Sequence, residues 1–142
     1  MVTEKQIELV QDSWRQVGPV ADRAAALFYD RLFELDPMLR PLFPDDLTEQ
    51  RRELTAMIDT AVQGLDKPDA LLFTAQMLGR RHADYGVQDE DYVTVAVALL
   101  WTLRKTLGAV FTPEVAQAWT DVYELLATAM QQAAKEAEAV AV

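Results

Sequence analysis

The sequence predicts an all-α chain, and three observations carry that prediction. Apolar residues recur at helical spacing in one stretch after another, no segment alternates as a half-buried strand would, and capping or breaking residues bracket the stretches. With 142 residues, 51% of them hydrophobic, the chain suits one domain spanning 1–142 with a real core. Its Ala- and Glu-rich end, from about 136 to 142, is expected to fray.

The elements follow in order. Thr3 and Gln6 form a capping box ahead of a helix with Ile7, Val10, Trp14 and Val17 on one stripe, and Gly18 with Pro19 stops it. A second helix runs from about Ala21 to Leu35, with Ala25, Phe28, Leu32 and Leu35 inward. Asp36 and Pro37 then restart a short helix carrying Leu39, Leu42 and Phe43, because Asp caps and Pro fits a first turn. Pro44 to Thr48 reads as a loop.

From about Glu49 to Leu65 the inner face is Leu54, Met57, Ile58, Ala61, Val62 and Leu65, with Gln50 one turn ahead of Leu54. After Asp66 and Pro68 a further helix lines up Leu71, Ala75, Leu78 and His82, and Gly86 is suited to end it. Asp89 is expected to cap a helix through Leu107 with Val93, Ala96, Leu100, Leu103 and Leu107 inward. Thr112, Pro113 and Glu114 open the last helix, whose inner face is Val115, Trp119, Val122, Leu126 and Met130.

Composition excludes several chemistries. The absence of cysteine removes disulfides, thiolate metal sites, iron–sulfur clusters and cysteine nucleophiles together. A net charge of −10 argues against a phosphate-tracking surface, so no nucleic-acid partner is expected. The polar start MVTEKQIELV lacks a secretory pattern, and no apolar run approaches membrane-spanning length, so a cytoplasmic protein without a membrane partner is expected. No GxGxxG fingerprint occurs, so any reducing equivalents must come from another molecule.

His82 is the only histidine and stands on an apolar stripe. Spacing alone reads it as an ordinary core or surface histidine with a hydrogen bond more readily than as a ligand. Its company adds weight: Tyr29 and Gln50 are polar groups on inner helix faces, which a purely structural core must satisfy at some cost. A zinc cluster is out of reach with one histidine and no cysteine. Asp45 with Asp46, and Asp89 with Glu90 and Asp91, lack the spaced loop of a calcium site and read as a solvated loop and a helix start.

Five blocks of sequence resemble the globin family, in particular its neuroglobin-like and flavohaemoglobin-type single-domain microbial members. They are ELVQDSW at 8–14, LFYDRLFELDPMLRPLF at 27–43, MIDTAVQGLD at 57–66, LGRRHADYGV at 78–87 and LGAVFTPEVAQAW at 107–119. The resemblance implies a three-over-three helical sandwich around haem b, iron protoporphyrin IX. His82 then matches the proximal iron ligand, Leu78 the leucine under the porphyrin and Phe43 the phenylalanine wedged against its face. Val87 joins the haem-lining positions, and Arg81 stands where a basic residue meets a propionate or simply remains solvated.

On the other face the resemblance matches Tyr29, Gln50 and Leu54 to the distal pocket. A phenol O–H and an amide N–H suit dioxygen, which becomes partly anionic on iron, better than carbon monoxide. With one histidine, two-histidine coordination is impossible, so the sixth site is expected to be open or weakly held. In flavohaemoglobins a tyrosine and a glutamate brace the proximal histidine. Tyr92 matches the tyrosine, but the glutamate's place falls near Ala134, flanked by Gln131, Gln132 and Glu136.

The resemblance therefore implies reversible binding of dioxygen, with carbon monoxide and nitric oxide as further ligands, for storage, transport or sensing. The alternatives are a nitric oxide dioxygenase or scavenger served by an external reductase, and a haem-free globin-shaped module. A monomer or weak homo-oligomer is expected.

Overall fold

The computed structural model describes residues 2–84 and 87–141, with side chains of residues 83, 84 and 137–141 excepted. Among the described residues there is no strand. Six α-helices form: α1 Glu4–Val17, α2 Ala21–Leu35, α3 Thr48–Gln63, α4 Pro68–Asp84, α5 Asp89–Leu107 and α6 Pro113–Ala141. Tight 3₁₀ turns at Gly18–Val20, Pro37–Leu42 and Gly108–Val110 join or extend them.

Local chemistry sets the boundaries. The Thr3–Gln6 capping box forms with both of its bonds, and the Asp36 side chain caps the Pro37 turn through the Met38 amide at 3.1 Å. The start of α5 differs from expectation. Gln88 is the capping residue and Asp91 closes the box by accepting the Gln88 amide at 2.8 Å, while Asp89 is the first helical residue. The position expected to end α4, Gly86, lies outside the described residues.

α4 packs along α6, α2 along α5, and α1 against α6 and α3. The main core joins α1, α3 and α6 through Val10, Trp14, Ala61, Val62, Trp119 and Val122. Ser13 is buried there, accepting from the Trp119 indole at 2.9 Å and donating to the Leu9 carbonyl at 2.7 Å. This deeply buried hydroxyl is thus satisfied. A second cluster gathers Phe28, Tyr29, Leu32, Leu39 and Ala98, with Phe33, Phe43 and Leu54 at its margin.

Gly79 lets α4 approach α6 closely. A Cβ there would stand 2.7 Å from Met130 Cα, and backbone has no flexible end to yield.

Three residues expected inside are exposed: Leu35 by 40%, Leu42 by 45% and Val93 by 65%. The membrane expectation is also revised. Asp89–Val110 is long and apolar enough to cross a membrane by length and composition alone, because α5 runs on into the following turn. In the fold it lies against α2 and α6.

Candidate functional site

A cavity of about 140 Å³, open toward solvent, lies between α3, α4, α5 and α6. Its wall is almost wholly apolar: Leu54, Met57 and Ile58 from α3, Leu78 from α4, Leu99 from α5 and Met130 from α6 contribute. His82 brings an imidazole to it.

The local helix fixes the state of that imidazole. His82 Nδ1 stands 2.6 Å from the Leu78 carbonyl one turn earlier. A carbonyl only accepts, so Nδ1 carries the proton and Nε2 keeps a lone pair. Burial holds the His82 pKa below its ordinary value. The Leu78 bond opposes that shift and the neighbouring Arg81 charge adds to it. The result is a neutral imidazole with a free donor pair on an apolar wall.

Tyr92 lines the same cavity with its ring 6.4 Å from that of His82. Burial raises its pKa, and the Asp89 charge adds to the rise. The Tyr123 hydroxyl donates to the Tyr92 carbonyl at 2.6 Å and ties α6 to α5 behind the imidazole. Among the described residues no carboxylate reaches His82. Gln131 donates instead to Asp89 at 3.3 Å, and Gln132 to Glu136 at 3.5 Å.

The second polar feature lies in the aromatic cluster beside the cavity. Tyr29 is 3% exposed, and Gln50 Nε2 donates to its hydroxyl at 3.2 Å. Desolvation pushes the phenol up to about 12, against the lowering effect of that bond and with a small addition from Glu53. The phenol therefore keeps its proton, and among the described residues that O–H has no acceptor. Phe43 meets Tyr29 edge-on, with ring centroids 5.5 Å apart.

Two arginines hold this half in place. Arg51 pairs with Asp22 at 3.2 Å and fastens the start of α3, next to Gln50, to α2. Arg40 donates to the carbonyls of Phe43, Pro44 and Asp45 at 3.2, 2.9 and 3.0 Å, while its guanidinium lies over the Phe33 ring.

Of the residues singled out from sequence, Leu54, Leu78, His82, Val87 and Tyr92 share the cavity wall. Tyr29, Gln50 and Phe43 form the adjoining cluster, and Leu54 belongs to both. Arg81 is exposed and off the wall. Sequence reasoning missed Phe28, Thr74, Val95 and Leu99 as wall residues. Phe28 showed only as an inner-face position, the other three carried no distinct signal, and nothing marked Arg40 as a clamp.

Fold and site define a helical protein with an apolar cavity whose wall carries one neutral histidine. Known proteins agree. A globin family model matches residues 26–130. Neuroglobins of Chaenocephalus aceratus and Danio rerio are each 32% identical to this chain, covering 92% and 91% of it and 91% and 90% of their own lengths. An engineered carbene transferase, made from a candidate nitric oxide dioxygenase of Rhodothermus marinus, superposes with a TM-score of 0.88 at 26% identity, over 99% of this chain and 98% of that one.

The chain belongs to the globin family, and haem-based binding of dioxygen belongs to that family. The residues present fit such a group. An apolar cavity suits a flat hydrophobic macrocycle, and the unprotonated Nε2 suits iron.

Proposed function

We propose that the chain holds haem b through His82 and binds dioxygen reversibly, for storage, transport or sensing. Carbon monoxide and nitric oxide are further ligands of the same site. The observation that carries this reading is the bond from His82 Nδ1 to the Leu78 carbonyl. It orients the imidazole and leaves Nε2 unprotonated, while burial keeps the ring neutral, and among the described residues no carboxylate partner strengthens its electron donation.

Haem, when bound, supplies an iron that takes up diatomic gases. The protein's part is placement. Leu54, Leu78, Val87 and Tyr92 would enclose the macrocycle and exclude water, and His82 would hold the iron through Nε2. Tyr29 supplies an unspent O–H and Gln50 fixes the phenol from behind. Phe43 sets the edge of the distal side, held by Arg40. His82 is the only histidine, so the iron's other face has no internal imidazole to displace.

Absorption spectra of the ferric, ferrous and carbon monoxide forms test this. The expected ferrous form is five-coordinate and converts directly on adding carbon monoxide. A fully low-spin ferrous spectrum without added ligand would overturn the open distal side.

A second reading is oxidation of nitric oxide to nitrate by the oxygenated protein. The resemblance to the Rhodothermus marinus globin favours it, and the Tyr29–Gln50 pair serves it equally. Turnover would need an electron source outside these 142 residues. Stopped-flow mixing of the oxygenated protein with nitric oxide, with and without a reductase, separates the two: sustained turnover identifies the dioxygenase, and one turnover followed by a ferric resting state identifies a carrier.

A further inference from the structure

Helix α5 carries a row of side chains that the rest of the chain leaves open. Val93 is 65% and Val97 48% exposed, Trp101 is half-buried, and Glu90 and Arg104 are exposed. At 3.6 residues per turn, positions 90, 93, 97, 101 and 104 fall within about 40° of one line along the helix. The row reads acid, apolar, apolar, aromatic, base, with steps of 3, 4, 4 and 3 residues. Its spacing is symmetric about Val97, and its charge is opposite at the two ends.

A row with that symmetry is complementary to itself turned end for end. About a two-fold axis at Val97, the valine meets its own copy, Val93 meets the second copy's Trp101, and Glu90 meets the second copy's Arg104. Seven residues at 1.5 Å put each charge about 10 Å from the axis. A parallel pairing would instead set Glu90 against Glu90 and Arg104 against Arg104. Charge alone therefore selects the antiparallel arrangement.

The geometry points to α5 as the seat of an isologous homodimer, two copies of this chain packed antiparallel about Val97. Two further observations support the occupant. Among the described residues neither Glu90 nor Arg104 has an ion-pair partner in its own chain, although both are charged and exposed. Trp101, a residue type that concentrates binding energy at interfaces, is held between Arg31, 5.2 Å from its ring centre, and Lys105, 5.8 Å away, so little freedom is lost when it is covered.

Contact along this length of helix requires a shallow crossing, on the order of 20°. One helix row makes a small interface, so the dimer dissociates on dilution. The chain's charge of −10 opposes association at long range, and the end pairs set register more than affinity. The inference does not depend on what the cavity binds.

Sedimentation velocity of the full chain from micromolar to millimolar concentration tests it. The expected result is a reversible monomer–dimer equilibrium. Val97→Glu puts two carboxylates on the axis and should leave only monomer, with an unchanged helical circular dichroism spectrum. Glu90→Arg and Arg104→Glu should each weaken dimerisation at least about tenfold. Mixing those two variants should restore it, because both end pairs then join opposite charges. A wild type that is monomeric throughout, a dimer indifferent to Val97→Glu, or no recovery on mixing would overturn the assignment. A monomeric wild type that instead sediments with phosphatidylcholine vesicles would also overturn it, giving the row to a lipid surface.

Discussion

The two polar features of the site are stabilised by different means. On the α4 side, His82 is oriented by the backbone of its own helix, one turn away in sequence. On the α2 and α3 side, Tyr29 and Gln50 orient each other across two helices, 21 residues apart. The first arrangement exists wherever α4 is helical. The second exists only if the Arg51–Asp22 pair and the aromatic packing bring α3 onto α2 in register. Orientation of the imidazole is therefore robust, and that of the phenol is conditional on tertiary structure.

The largest test of this contrast is His82→Ala. No other histidine can replace it, so haem retention should fall by orders of magnitude; transfer of haem to an acceptor globin, followed by absorbance, measures it. Retention at the wild-type level would move the iron's anchor elsewhere. Next comes Tyr29→Phe, which removes a donor to a partly charged ligand, a loss of about 1.5–3 kcal/mol. Dioxygen release should quicken on the order of tenfold to a hundredfold, read by stopped flow, with haem retention unchanged.

Gly79→Ala probes how firmly α4 itself is seated. Alanine improves helix propensity by roughly 1 kcal/mol, but its methyl meets the Met130 backbone, and overpacking of that kind costs about 1–3 kcal/mol. The clash should win, lowering the denaturation midpoint in urea. A stabilised variant would show that α4 and α6 can separate freely. Gln50→Leu should have a smaller effect on dioxygen release than Tyr29→Phe, several-fold, because Tyr29 keeps its proton and loses only its support. A spectrophotometric titration should find the Tyr29 phenol harder to ionise in that variant than in the wild type, since the Gln50 bond lowers its pKa.

The smallest expected effect is on pH dependence. In the haem-free protein the His82 pKa lies below the 6.5 it has when unfolded. The unfolded chain thus binds a proton first as pH falls. The stability this contributes is full above pH 6.5 and declines as pH drops from there toward the folded pKa. Chemical denaturation at stepped pH should show that decline in the wild type and its absence in His82→Ala.

The same contrast explains what was legible in the sequence. The helices carried their own signals. Thr3 with Gln6, Asp36 with Pro37, and Thr112 with Pro113 bounded elements from local chemistry, and α2 lies where Ala21 and Leu35 mark it. His82 stood on the stripe that lines the cavity, but the role proposed for it came from family resemblance. Tyr29 and Gln50 were legible as misplaced polar groups, whereas their bond to each other was not, because no local rule connects residues on separate helices. Arg40 was invisible for the converse reason: it acts through backbone carbonyls, which carry no letter. Val93 and Leu35 misled because helical periodicity gives a face and not the extent of what covers it.

The Leu78 carbonyl has one more consequence. It is also the acceptor that the α-helical pattern assigns to the His82 amide, so the atom that sets the imidazole's protonation pattern is part of the helix itself. A side-chain brace can be lost by a single codon change, but this one cannot: any residue at position 78 that keeps α4 intact presents the same oxygen. Selection can therefore vary the cavity wall at Leu78 without touching the protonation pattern of His82, and the two properties are free to evolve separately.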